Sequence, residues 1–81
     1  MDIAEYIRRR DKILIDLDVD EMIALMKEAG ARSVPSNRDV ALIALHKARA
    51  VVTSVPENLR LESKKWLTDR GFTYWDNEVN L

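Results

Sequence analysis

Apolar positions recur at helical spacing along most of the chain, and this pattern together with its end signals predicts four helices. The first predicted helix covers about Asp2–Lys12, and its apolar face carries Ile3, Tyr6 and Ile7. Residues 13–17 read either as a continuation of this helix or as a short alternating strand. Because no second strand is apparent for it to pair with, we expect helix or irregular chain there.

The second helix has clear signals at both ends. Asp18 and Glu21 have the spacing of an N-cap and its capping-box partner, and Leu17 and Met22 have the spacing of a hydrophobic staple. Gly30 supplies the left-handed residue that commonly follows a helix end. The sequence therefore predicts a helix that begins after Asp18 and stops before Gly30.

The third helix follows a loop at residues 31–35, where Ser36 and Asp39 repeat the capping-box spacing, and it is predicted to run to about Thr53. At 100° per residue its apolar side carries Val40, Ala41, Ala44, Ala48, Val51 and Val52. The opposite, solvent-facing side is predicted to carry Asp39, His46, Arg49 and Thr53. Ile43 and Leu45 widen the apolar arc, so this helix is predicted to be the central one.

The fourth helix is predicted over about Pro56–Arg70, because proline is tolerated in a first turn and Gly71 supplies a C-terminal stop. Its inner stripe carries Leu59, Ser63, Trp66 and Leu67. Phe72 is expected to fold back on Leu67, and Trp66 and Phe72 are expected in the core. The segment beyond is polar apart from Tyr74, Trp75, Val79 and Leu81.

Short connections favour antiparallel neighbours, so the predicted fold class is all-α: a compact bundle of three to four short helices with a short irregular C-terminal tail. Residues 1–81 are too few for a second hydrophobic core, which predicts a single helical domain. Two interpretations stay open for residues 72–81. The tail either packs back to complete a thin core or binds a partner.

Composition narrows the functional classes. The 81 residues are 47% hydrophobic and 33% charged, with a formal net charge of −1 and no cysteine. Thiolate chemistry and disulfides are thereby excluded, and the lack of staples favours a cytoplasmic protein. The longest apolar runs are far shorter than the ~20 residues of a membrane span, and the acidic start does not resemble a signal peptide. Nor is there the basic excess that drives phosphate binding.

The segment Ile13–Asp18 ends in Asp16-Leu17-Asp18 and resembles the DxD opening of haloacid-dehalogenase-type phosphatases. In that family the first aspartate is the nucleophile, the second the acid/base, and Mg²⁺ neutralises the phosphate. Here Val19-Asp20-Glu21 replaces the small and hydroxyl residues that usually follow, and the chain is too short for the α/β domain. We therefore interpret Asp18 as a helix cap and Asp16 as solvated.

Other catalytic or metal-binding interpretations also fail. Asp16-x-Asp18-x-Asp20 imitates an EF-hand start, but Glu21 and Lys27 occupy the positions of the obligatory glycine and bidentate glutamate. His46 is the single histidine and is expected to be solvated on an exposed helix face. The sequence predicts no catalytic residue, no metal ligand set and no cofactor, hence no enzyme.

Aromatic residues give the leading functional hypothesis. Four of the five aromatics lie within residues 66–75, and tryptophan and tyrosine dominate interface hot spots. We predict a small non-catalytic interaction module, an inhibitor or adaptor of a larger protein. Its candidate contacts are Tyr74, Trp75 and Arg70, with Arg60 and Lys64 as rim charges. An exposed Leu42 would mark a homodimer face.

Two stretches, Leu45–Arg49 and Glu62–Leu67, are similar to small accessory proteins of bacteriophages. The similarity rests on no defined motif, covers about half of the chain and carries over no catalytic residue. It implies a phage-type accessory role in keeping with an inhibitor or adaptor.

The alternative hypothesis is a dimeric helix-turn-helix-like DNA-binding regulator. The second and third helices would form the motif, although the loop between them is longer than usual and the third helix is core-like after its first turn. Only Asn37 and Arg38 would read base edges, and the cluster Arg8, Arg9 and Arg10 would contact phosphates.

Overall fold

The computed structural model describes residues 2–72, which form four helices. These are α1 (Ile3–Asp16), α2 (Val19–Glu28), α3 (Arg38–Arg49) and α4 (Glu57–Asp69). The predicted all-α class is confirmed, since residues 2–72 contain no strand. The predicted tail lies outside the described residues except for Phe72.

The junction between α1 and α2 is a sharp turn made at Leu17 and Asp18. Helix α1 continues to Asp16, so residues 13–16 are helical and the turn begins at Leu17. Leu17 then adopts a left-handed conformation (φ 52°), which costs a non-glycine residue roughly 1–2 kcal/mol. Its side chain packs against the core, and this burial offsets the strain. Asp18 caps α2 as predicted, because its Oδ1 accepts the Glu21 N–H at 3.1 Å.

Two glycines end α2 and α4 as predicted. Gly30 and Gly71 have φ values of 77° and 76°, which L side chains rarely adopt. At the end of α4 the Phe72 N–H donates to the Leu67 carbonyl at 2.9 Å, which is the long bond of a Schellman motif. Phe72 is thereby held beside the last turn of α4.

Helix α3 differs from its prediction at both ends. Its N-cap is Asn37 and not Ser36, because the Asn37 Oδ1 accepts the Asp39 N–H at 2.7 Å. The helix ends at Arg49 and not near Thr53. The turn that follows places four more apolar side chains in the core before α4 begins: Ala50, Val51, Val52 and Val55.

Helix α3 is central, since it packs against α1, α2 and α4. The larger group of buried apolar side chains joins α1, α2, α3 and the turn after α3: Ile13, Leu14, Val19, Leu25, Ala41, Leu45, Val52 and Val55. A smaller group joins that turn to α4: Ala50, Val51 and Leu67. Burial of these side chains from water is the main favourable term for a chain of this size.

The predicted exposed side of α3 is wrong in its C-terminal half. His46 and Arg49 are each only 3% exposed, because α4 packs over that side of the helix. Val40, predicted on the buried side, is 55% exposed. Phe72, predicted in the core, is 38% exposed, because the Schellman turn holds it at the end of α4 and not between helices.

Arg49 connects three helices. Its Nη2 donates to the Ile15 carbonyl at 3.2 Å, and its Nη1 donates to the Glu62 carboxylate at 3.3 Å. The Ile15 carbonyl belongs to the last turn of α1, where carbonyls lack intrahelical partners and a positive charge is favourable. Arg49, which belongs to α3, thus donates a hydrogen bond to a carbonyl in the last turn of α1 and also contacts α4.

Across residues 2–72 no helix combines the length and the apolar character needed to cross a membrane.

The cap of α2 gives a first prediction. Asp18→Ala removes the oxygen that accepts the Glu21 N–H, and we expect the free energy of unfolding to fall by about 1 kcal/mol. Asp18→Asn keeps an acceptor and should unfold close to the wild type. Urea titration measures both. If Asp18→Ala were as stable as the wild type, the cap would contribute nothing.

Candidate functional site

A shallow groove lies between α3 and the C-terminal end of α4, with a volume of about 220 Å³. We call it the α3–α4 groove. Helix α3 supplies three of its lining residues, and α4 with its Schellman turn supplies the others: Asp39, Leu42 and Ile43, and Trp66, Arg70 and Phe72. The groove therefore has an apolar floor with one acidic and one basic side chain at its walls.

Trp66 is the centre of this groove. Its ring stacks on His46 at a centroid distance of 4.0 Å and an interplanar angle of 12°. Phe72 lies nearly parallel to the same ring, with centroids 6.4 Å apart. The guanidinium carbon of Arg70 lies 4.1 Å from the Trp66 ring centroid, which is a cation–π contact. One partly buried tryptophan thus holds both the basic and the exposed aromatic side chain in place.

His46 lies beneath Trp66 and is hydrogen-bonded within the protein. Its Nδ1 is 3.0 Å from the Oγ of Ser63, which is completely buried. Burial lowers the pKa of His46, and the positive charges of Arg49 and Arg70 lower it further, while Glu62 opposes them. His46 is therefore held in its neutral form, in contrast to the solvated side chain that was predicted.

The His46–Ser63 pair has the spacing of a base and a serine nucleophile. Catalysis would require the Ser63 Oγ to reach a substrate, and this oxygen is sealed between α3 and α4. A buried hydroxyl facing a buried imidazole satisfies both polar groups, as buried polar groups require. We interpret the pair as a packing hydrogen bond.

The aspartates of the DxD-like segment are occupied in other ways. The Asp16 carboxylate accepts from Lys12 at 3.2 Å on the surface of α1, and Asp18 caps α2. Within residues 2–72 no three side chains of histidine, aspartate or glutamate converge as a metal site would require. The interpretation of Asp18 as a cap is confirmed, whereas Asp16, interpreted as solvated, is 49% exposed and paired with Lys12.

The predicted partner contacts lie in different places. Arg70 lines the α3–α4 groove. The Arg60 Nε donates to the Val55 carbonyl at 3.0 Å, so this side chain braces the start of α4. Lys64 is partly buried on the same helix. Arg70 follows Arg60 by ten positions, a rise of about 15 Å along α4, so the structure does not bring them together. Tyr74 and Trp75 lie outside the described residues.

The residues of the DNA-binding alternative are engaged at the α3 N-terminus. Asn37 caps α3 with its side-chain oxygen, which removes that oxygen from base recognition. Arg38 is exposed and forms an ion pair with Asp20 at 3.0 Å.

The arginine cluster of α1 is dispersed around the helix. Arg9 contacts the carboxylates of Glu21 and Glu28 on α2, and these hydrogen bonds raise its pKa. Arg10 forms an ion pair with Asp11 at 2.8 Å, and Arg8 is exposed. The three side chains do not form one basic surface, which weakens the phosphate-binding interpretation.

The α3 side of the groove and the role of His46 were not predicted from the sequence. Leu42 was predicted only as a homodimer residue, and it lies in the floor of the groove. One signal was present: Ser63 stands in the inner stripe of α4, and a polar residue at a buried position implies a polar partner across the interface.

Comparison with protein-family models, with curated proteins and with solved structures finds no match for this chain.

The buried histidine predicts a pH dependence of stability. Because the folded-state pKa of His46 is lowered, the unfolded chain binds a proton more readily, so stability is complete above the unfolded pKa of about 6.5 and is lost as the pH falls below it. His46→Gln keeps a hydrogen-bonding side chain without a titrating group in this range.

Urea unfolding at neutral and mildly acidic pH measures the difference. We expect the wild type to lose more stability between the two than His46→Gln. Equal losses would mean that His46 titrates as in the unfolded chain and would contradict its burial.

Proposed function

We propose that this chain is a small protein-interaction module, an inhibitor or adaptor, that contacts a larger protein through the α3–α4 groove. The observation that carries the proposal is the cluster at the end of α4, where Arg70 and Phe72 are presented on the ring of Trp66. Tyr74 and Trp75 follow in the sequence and extend the aromatic composition of this end of the chain.

The chemistry of the cluster suits a binding surface. Tryptophan and arginine are enriched among interface hot spots because they bury large areas and form directional contacts. Trp66 is fixed by its stack on His46, so little side-chain entropy would be lost when a partner covers it. Phe72 is 38% exposed and offers an apolar contact next to it.

The positive charge of Arg70 indicates which groups a partner would present to the groove. Among residues 2–72 no carboxylate lies within ion-pair distance of Arg70, whose Nη1 donates to the Trp66 carbonyl at 3.2 Å. A partner carboxylate would therefore find a guanidinium that is not in an ion pair with residues 2–72, beside the apolar floor made by Leu42 and Ile43. We expect the partner to insert an apolar side chain flanked by an acidic one.

The test is affinity capture from cells that express the chain naturally, with paired variants as bait. We expect the double variant Arg70→Ala/Phe72→Ala to lose proteins that the wild type retains, with affinity reduced about tenfold or more, or 1.4 kcal/mol. Tyr74→Ala/Trp75→Ala tests the remaining predicted contacts separately. Binding to each captured protein, once purified, is measured by titration calorimetry.

Leu61→Ala is the matched control, because Leu61 is a 54% exposed apolar residue of α4 that does not line the groove. This variant should bind like the wild type, and helical circular dichroism should be unchanged in all baits. Retention of the same proteins by the Arg70/Phe72 double variant would contradict a partner site in the groove.

A further inference from the structure

A second concave feature lies where α1, α2 and α3 meet. It is a cleft of about 350 Å³, within the range of roughly 300–1,000 Å³ that small-molecule sites occupy. We call it the α1–α2–α3 cleft. Ten of its twelve lining residues are aliphatic: Ile13, Leu14, Met22, Leu25, Met26, Ala29, Ala31, Ala44, Leu45 and Ala48. No residue of α4 lines it, so it is separate from the α3–α4 groove.

The cleft has a fixed floor and adjustable walls. Four floor residues belong to the core and are at most 5% exposed: Ile13, Leu14, Leu25 and Leu45. The alanines on α3 and after α2 have short side chains, so the space above the floor residues is left unfilled. Met22 and Met26 stand one turn apart on α2 and are only partly buried, and unbranched thioether side chains adapt to varied apolar shapes.

Polar groups occur on one side of the cleft only. Tyr6 and Arg10 stand one helical turn apart on α1 and are the polar residues in its lining. The Arg10 Nε and Nη2 donate to Asp11, and Nη2 also contacts Ser54 at 3.2 Å. Its Nη1 has no acceptor among residues 2–72, and the Arg10 side chain is 13% exposed.

From this arrangement we propose that the α1–α2–α3 cleft binds a small apolar molecule with one anionic end, of the class of free medium-chain carboxylic acids. The hydrocarbon part occupies the space between the methionines and alanines, above the leucine and isoleucine floor. The carboxylate lies at the α1 side, where the Arg10 Nη1 and the Tyr6 hydroxyl donate hydrogen bonds to it. Apolar cavities in proteins do take up apolar molecules of matching size.

A free small molecule fits the cleft better than a partner helix does. A helix-binding groove presents a broad exposed floor, whereas the floor residues here are at most 5% exposed, so only a narrow opening reaches them. The occupant must therefore be narrow enough to enter between side chains. Arg10 is the one charged residue in the lining, and although its Nε and Nη2 donate to Asp11, its Nη1 is left for a carboxylate, so the polar side favours an acid over a base.

Decanoate is the probe, and the Met22 and Met26 methyl resonances report on the cleft by NMR. Both should shift saturably with decanoate, while the Trp66 indole resonance in the other groove should not. Decyltrimethylammonium carries the same chain with the opposite charge, and we expect it to bind at least about tenfold more weakly. Equal binding of the two probes would overturn the assignment of an anionic end.

Ala44→Leu fills the cleft from α3 and should abolish the decanoate shifts. Ala4→Leu is the matched control, because Ala4 is an exposed α1 residue outside the lining, and it should leave them unchanged. Arg10→Gln should weaken decanoate binding without affecting the folded spectrum. No saturable shift in the wild type, or equal affinity in Ala44→Leu, would overturn the proposal. Neither outcome bears on the α3–α4 groove.

Discussion

Helix α3 is packed from two sides, and the arrangement of the other helices follows from the need to cover both. Its apolar side contacts α1 and α2, and its other side, which carries His46 and Arg49, contacts α4. A buried polar group without a partner costs about 1–3 kcal/mol, so packing of α4 is favoured where it offers partners to both side chains, although the Arg49 Nε stays buried without one. The Ser63 hydroxyl meets His46 and the Glu62 carboxylate meets Arg49. These polar contacts, together with the packing of Leu67 and Trp66, favour one position of α4 along α3.

The α3–α4 groove depends on that selected position. Once Ser63 is paired with His46, the next turn of α4 places Trp66 on the imidazole at 4.0 Å. Trp66 in turn supports Arg70 and Phe72, so the proposed binding surface is built outward from a buried hydrogen bond. Proton uptake by His46 would therefore act on the surface as well as on stability, because the imidazole forms the base of the aromatic stack. If the groove binds a partner as proposed, these side chains already hold one another in place, which would limit the entropy lost on binding.

Helix ends could be predicted from the sequence where they depend on a few neighbouring residues. The cap at Asp18 and the stops at Gly30 and Gly71 depend on a few neighbouring residues, and they were predicted correctly. The burial of His46 could not be predicted in the same way, because a wheel drawn for α3 alone assumes one buried side. Whether the second side is covered depends on α4, which is distant in sequence. The choice between Ser36 and Asn37 as cap also lay beyond the pattern, since both residue types are good caps and stand side by side.

The α3–α4 groove and the α1–α2–α3 cleft lie on opposite faces of α3. At 100° per residue, Ala44, Leu45 and Ala48 point into the α1–α2–α3 cleft, and Asp39, Leu42 and Ile43 point into the α3–α4 groove. Any ligand of either feature binds only the folded bundle, so each would raise stability by mass action. Coupling between them is a stricter condition, because it requires two positions of α3 that the ligands favour unequally. The hydrogen bonds of Arg49 to the end of α1 and to α4 oppose such a movement, since a shift of α3 would break both. We therefore expect ligands of the two proposed sites to bind independently, even though the sites share one helix.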